Sequence, residues 1–265
     1  MNRYGEILDA LRAEGAELDA VVAPLSPDRW AAPTPAAGWT VAHQIAHLAW
    51  TDDRARQAIT GPELFRERNR ADAQLGVRVT DATATEGARQ DPAELLRRWR
   101  TGRRALHDLL AATPADTRVP WFGPPMKVPS LATARLMETW AHGQDVVDAL
   151  AVHREPTARL RHVAHLGVRT LGFAFELHGL PVPEAPVRVE LTAPDSELWT
   201  WGPAGATDRL TGPALDFCLL TTQRRHRDDL ALEAAGETAR RWLRLAQSFA
   251  GPPGPGRPRT TDRAD

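Results

Sequence analysis

The sequence predicts an α+β protein, with an N-terminal four-helix bundle and a smaller C-terminal α+β domain. Three observations carry this. Residues 1–150 hold four stretches with apolar residues at helical spacing, joined by connections rich in Pro and Gly. From residue 151 the grain changes, and short segments alternate apolar with polar residues in the manner of strands. That domain runs to residue 250, and the tail 251–265, GPPGPGRPRTTDRAD, has too few apolar residues to join a core and is predicted to be disordered.

The first helix, residues 5–25, is marked by Ile7, Leu8, Leu11, Leu18, Val21 and Val22. The connection SPDRWAAPTPAAGWT closes at Thr40, an N-cap residue type. A second helix, VAHQIAHLAWTDDRARQAI, carries its stripe on Val41, Ile45, Leu48 and Ala49. Residues 61–90 are polar and predict short helical stretches at most. Asp91-Pro92 fits a cap followed by Pro in the first turn, opening PAELLRRWRTGRRALHDLLAA. TPADTRVPWFGPPMKVPS then leads to the fourth helix, SLATARLMETWAHGQDVVDAL. In the second domain RLRHVAHLGVRTLGFAFELHGL reads as a helix ending at Gly179. PVRVELTAP, ELWTWGP and ATDRLTGP read as strands, and GPALDFCLLTTQRRHRDDL and ETARRWLRLAQSFA as two further helices.

With 33 basic and 34 acidic residues the formal net charge is −1, which suggests neither a nucleic-acid nor a membrane partner. Lys127 is the single lysine, a skew that fits a GC-rich coding sequence. One cysteine, Cys218 in the apolar run ALDFCLL, excludes an intrachain disulfide and reads as a buried thiol. The N-terminal stretch lacks the apolar run of a signal peptide, and no segment reaches the length of a membrane span. A soluble cytoplasmic protein, monomer or homodimer, acting on a small molecule is the expectation.

The fourth helix raises the chemical question. At about 100° per residue, Leu131, Ala134, Glu138, His142, Asp145 and Ala149 share one arc. Carboxylates buried on such a face must be neutralised, paired or bound to a metal. Taken alone, the helix admits a metal site, an internal hydrogen-bond network or an exposed face. The second helix adds His43 and His47 at i, i+4, with His47 at the edge of its apolar stripe. Two ligands on one helix and one on a facing helix can converge, and one Glu with two His is the ligand chemistry of catalytic zinc or a similar divalent ion.

GWTVAHQIAHL, preceded by Trp30 and the Pro-rich loop, and RLMETWAHGQDVVDAL resemble the two signatures of the DinB-like, mycothiol-dependent maleylpyruvate isomerase family. The resemblance implies His47, Glu138 and His142 as metal ligands, usually of zinc, with an open position facing a cleft. His43 departs from the usual motif and is a fourth ligand, an outlying base or a surface residue. Asp145 suits an acceptor that orients a ligand or a water. In the family's isomerases an arginine of the second domain meets the acidic substrate, and Arg225, beside His226 in a predicted helix, is the local counterpart. Arg56, Arg103 and Arg104 are weaker ones. Of nine tryptophans, Trp30, Trp39 and Trp140 are expected to pack the bundle ends, Trp50 to wall the pocket, and Trp199 and Trp201 to share a strand face.

The resemblance implies a metal-dependent enzyme that activates a low-molecular-weight thiol, mycothiol, for S-transfer or thiol-assisted isomerisation. The thiol would reach the open position and lose its proton there, so Cys218 need not take part. The alternative keeps the metal as a Lewis acid without a thiol, in a hydrolase, lyase or cyclase, with His43 or Asp145 carrying protons. A third reading is a non-catalytic metal-binding module.

Overall fold

The computed structural model describes residues 3–75, 78–254 and 256–260. The chain forms two compact units, residues 1–154 and 155–265.

In the first unit the helices are α1 (Arg3–Val22), the short α2 (Pro27–Trp30), α3 (Val41–Thr60), α4 (Pro62–Leu75), α5 (Arg78–Ala88), α6 (Pro92–Ala112) and α7 (Val128–Leu150). A two-stranded antiparallel ribbon, β1 (Arg118–Val119) and β2 (Met126–Lys127), precedes α7. The expected bundle is formed by α1, α3, α6 and α7. Asp91 caps α6 by accepting from the backbone N–H groups of Ala93 and Glu94 at 2.9 and 3.2 Å, with Pro92 where no N–H is required.

Two apolar clusters hold the bundle. One joins Leu18 and Val22 of α1, Val41, Ile45 and Leu48 of α3, Leu95 and Trp99 of α6, and Val146 of α7. The other joins Ile7 and Leu8, Ala55 and Ala58, Leu106 and Leu110, and Val128 and Leu131 from the same four helices. A polar belt lies between them along α1, α3 and α7: Glu14, Asp52, Arg135 and Thr139 are all buried there. Arg135 Nε donates to Asp52 Oδ1 at 3.0 Å, and both side chains are almost wholly enclosed. Burial pushes the Asp52 carboxyl up despite that guanidinium.

Residues 61–90 correct the sequence reading, since they form two substantial helices rather than short stretches. Neither has a broad apolar stripe. Phe65 of α4 is fully buried, and α5 packs on α3 through small residues. A Cβ on Gly87 would meet the Ala46 Cβ at 2.6 Å, so only glycine permits that approach.

The second unit carries α8 (Leu160–Arg169), α9 (Leu171–Leu177), β3 (Val187–Thr192), β4 (Leu198–Trp201), β5 (Asp208–Pro213), α10 (Ala214–Thr221), a 3-10 turn (Arg227–Asp229), β6 (Glu233–Ala235) and α11 (Glu237–Leu245). Its sheet has the order β4-β3-β5-β6, with β3 and β5 parallel and the outer pairs antiparallel. Alternate residues Val187, Val189 and Leu191 are buried on one face of β3. The predicted helix at 159–180 divides at Thr170. The one predicted to hold Arg225 ends at Thr221, because Gln223 turns into the left-handed region, φ 57°, and Arg224 N–H closes on Leu219 O. β6 was not anticipated; three residues give no readable alternation.

Of the predicted tail, residues 255 and 261–265 lie outside the described residues. Thr260 donates through its N–H and hydroxyl to Asp229 Oδ2.

Candidate metal centre

His47 on α3 and Glu138 and His142 on α7 bring one potential ligand atom each within 4.8 Å of one another. Glu138 Oε2 lies 3.2 Å from His142 Nε2 and 3.6 Å from His47 Nε2. One turn separates Glu138 from His142, so the antiparallel crossing of α3 brings His47 between them. Among the described residues no other group of three such side chains converges in this way.

The surroundings fix the site. Gln44, fully buried one turn before Leu48, places Oε1 2.5 Å from His142 Nδ1. Its Nε2 donates to Thr34 Oγ1 at 2.9 Å, and that hydroxyl donates to the Trp39 carbonyl at 2.9 Å. Since the amide N is spent on Thr34, its oxygen faces the ring, and an amide oxygen can only accept. His142 Nδ1 therefore donates to Gln44, which leaves Nε2 as the nitrogen turned towards Glu138 and the one a metal would use. The Trp39 ring lies 6.0 Å from His142 and 5.3 Å from His47, centroid to centroid, and its indole N–H donates to Asp81 of α5 at 3.0 Å. Trp50 lies 6.1 Å from His47 and is stacked on Phe122 at 5.9 Å.

Burial alone would raise the Glu138 carboxyl. The hydrogen-bonded His142 ring and the close His47 ring outweigh it and hold the carboxyl well below the usual range. A carboxylate and two imidazoles, nearly enclosed and aimed at one another, form a donor set suited to a divalent ion. His47 Nδ1 is buried without a hydrogen-bond partner, so that ring is not committed to any other group. The residues present fit a metal.

The other predicted site residues are placed differently. His43 is spent on the helix cap: its Nδ1 accepts from the Thr40 N–H at 3.3 Å and pairs with the Thr40 hydroxyl at 2.8 Å. Burial lowers the His43 pKa, against the pull of Asp81. Asp145 is buried at 1% exposure but lies outside the converging trio. Arg225 belongs to the second unit, in the turn after α10 rather than on a helix, and donates to the Arg224 carbonyl at 2.7 Å. Arg56 pairs with Asp53, and Arg103 with Asp19, while Arg104 joins Arg103 at a cavity described below. Trp30 and Trp140 are buried as expected, but Trp39 lies beside the histidines instead of within a bundle end. Gln44 was missed; its one signal was a polar residue amid the apolar stripe of α3.

Residues 11–147 match a family model described as mycothiol maleylpyruvate isomerase N-terminal domain, and residues 183–234 one described as wyosine base formation. Uncharacterized proteins from two strains of Mycobacterium tuberculosis are each 54% identical over 253 residues, covering 96% of this chain and 98% of the relative. The crystal structure of a mycothiol-dependent maleylpyruvate isomerase aligns with TM-score 0.57 at 16% identity, over 84% of this chain and 90% of that one. A histidine-to-alanine mutant of such an enzyme aligns with TM-score 0.58 at 16% identity, over 88% and 93%. At that identity the likeness is one of fold.

Proposed function

The chain belongs to the mycothiol maleylpyruvate isomerase N-terminal domain family, and from that premise we propose a cytoplasmic, divalent-metal-dependent enzyme that uses mycothiol to transform a small electrophile by S-transfer or thiol-assisted isomerisation. The carrying observation is the convergence of His47, Glu138 and His142, with the Trp39 and Trp50 rings both packed near His47.

In this reading the three side chains hold the ion, and zinc suits their donor chemistry. Bound there, such an ion supplies Lewis acidity that favours deprotonation of a thiol at neutral pH. Glu138, kept ionised, contributes the negative charge that offsets a divalent cation. Gln44 keeps His142 in the tautomer that leaves Nε2 free to ligate. Trp39 and Trp50 limit water near His47 and offer apolar faces to a substrate. Asp145 is proposed to orient a ligand or a water, His43 to assist proton movement from the cap, and Arg225 to receive an acidic substrate. Cys218 takes no part. No helix among the described residues is long and apolar enough to cross a membrane, in keeping with a cytoplasmic site of action.

The test is turnover of maleylpyruvate and related electrophiles by metal-replete protein, with mycothiol supplied or withheld. Activity that requires both metal and mycothiol supports the proposal. Full activity without any thiol overturns it in favour of Lewis-acid chemistry, and a metal content that does not respond to loss of His47 removes the site itself.

A further inference from the structure

The polar belt of the bundle faces two ways, and the histidine–glutamate cluster accounts for one of them. On the α1–α6 side lies a cavity of about 230 Å³, floored by Asp52 of α3 and Thr139 of α7. None of His47, Glu138 and His142 lines it. Its apolar walls are Leu11, Trp99 and Leu106. A dry cavity of about 150 Å³ is enough for benzene, so this one has room for a six-membered ring bearing a substituent.

The charged lining is unbalanced. Asp52 is already bound by Arg135, and Asp108 at the rim is largely exposed, 3.7 Å from His107 Nδ1. Against them stand Arg12, Arg103, Arg104 and His107. Arg12 is partnered by Asp9, and Arg103 gives one Nη to Asp19, which also binds Arg100. Arg104 has no hydrogen bond or ion pair among the described residues. Arg103 Nε and His107 Nε2 are buried without a hydrogen-bond partner. Buried nitrogens left unmatched are costly, and guanidinium nitrogens can only donate, so the missing partner is an acceptor. Gly15 suits this arrangement: a Cβ there would meet Arg103 Nη1 at 2.8 Å, so glycine lets the guanidinium lie against α1.

We propose that this cavity is a second ligand site, separate from the metal cluster, for a small carboxylate with an apolar, ring-sized body. Arg103, Arg104 and His107 receive the carboxylate, and Leu11, Trp99 and Leu106 cover the body.

Benzoate, with benzamide as its uncharged counterpart, is titrated into the full-length, metal-replete protein while the leucine methyl signals are followed by NMR. Benzoate is expected to shift Leu11 and Leu106 saturably, with benzamide about tenfold weaker or more, as a lost charge-assisted contact implies. Arg104→Gln, which breaks no ion pair, should weaken benzoate about tenfold without altering metal content. Leu11→Trp, which fills the cavity, should abolish the shifts. Absence of saturable shifts, equal binding of the two probes, or shifts confined to residues around His47 and Glu138 would each overturn the proposal.

Discussion

His142 Nδ1 and Gln44 Oε1 lie 2.5 Å apart, joining α7 to α3 through residues 98 positions apart in the chain. The contact decides which nitrogen of His142 is available to a metal, and the Thr34 hydroxyl decides which end of Gln44 makes it. A polar residue in a fully buried position is thereby explained by what it orients.

Removing the acceptor should therefore weaken metal binding without emptying the bundle. Gln44→Leu keeps the volume and loses the oxygen, and its affinity for zinc should fall about 10–100-fold. Gln44→Glu retains an acceptor and should recover much of that loss. Competition against a chromogenic chelator measures both. Unchanged affinity in Gln44→Leu would show that the amide is only packing.

Replacing His47 or His142 with Ala should remove the metal, yet far-ultraviolet circular dichroism should stay helical. The reason is that both apolar clusters are built from other residues of the same helices. Elemental analysis paired with a thermal melt tests this. Collapse of the fold on metal loss would mean that the ion, not the core, holds α3 to α7.

The closeness of Glu138 and His142 was legible from i, i+4 spacing on a long helix, but spacing left both His43 and His47 open on the facing helix, and the family resemblance singled out His47. The bundle was legible from the same helical periodicity. What escaped were contacts whose signal is not periodic. Gln44 reads as an interruption of a stripe until its partner on α7 is known. Residues 61–90 looked too polar for helices, since Gly87 and Ala84 bury well without raising hydropathy. The end of α10 could not be read because the left-handed residue there is Gln223, not Gly.

Gly87 and Gly102 make a paired test of packing against helix propensity. Both sit inside helices, where Gly→Ala ordinarily stabilises by about 0.5–1 kcal/mol. Nothing lies within 4 Å of a Cβ at Gly102, so Gly102→Ala should raise stability. At Gly87 the Ala46 Cβ is in the way at 2.6 Å, and overpacking of about 1–3 kcal/mol should win. Urea denaturation separates the two signs. Because α5 carries Asp81, which holds the Trp39 indole, Gly87→Ala should also shift tryptophan fluorescence.

Asp19 predicts a pH dependence remote from the metal site. Burial would raise its carboxyl, but Arg100 and Arg103 together hold it below its ordinary value. A depressed folded-state pKa stabilises at all pH above the unfolded value of about 3.9, and that contribution fades as pH falls through the folded one. Asp19→Asn should thus cost about 1–2 kcal/mol at pH 7, after allowing for solvent around Arg100. The gap from wild type should stay constant down to about pH 5 and shrink below about pH 4. A gap that widened on acidification would contradict the pairing.

Cys218 separates an external thiol from an internal one. The residue is fully buried in α10, its Sγ 3.6 Å from the Leu160 carbonyl, and burial pushes the thiol pKa far up. A thiol held protonated in an apolar setting is a poor nucleophile. Cys218→Ala removes one sulfur atom from a packed core and should cost about 1–2 kcal/mol of stability. Turnover per folded molecule, measured with mycothiol present, should be unchanged, and titrating mycothiol should give the same half-saturation as in the wild type. If activity instead disappears with Cys218 while the variant remains folded and metal-loaded, the nucleophile lies within the chain. The role proposed for mycothiol would then fail, even though His47, Glu138 and His142 still bound their ion.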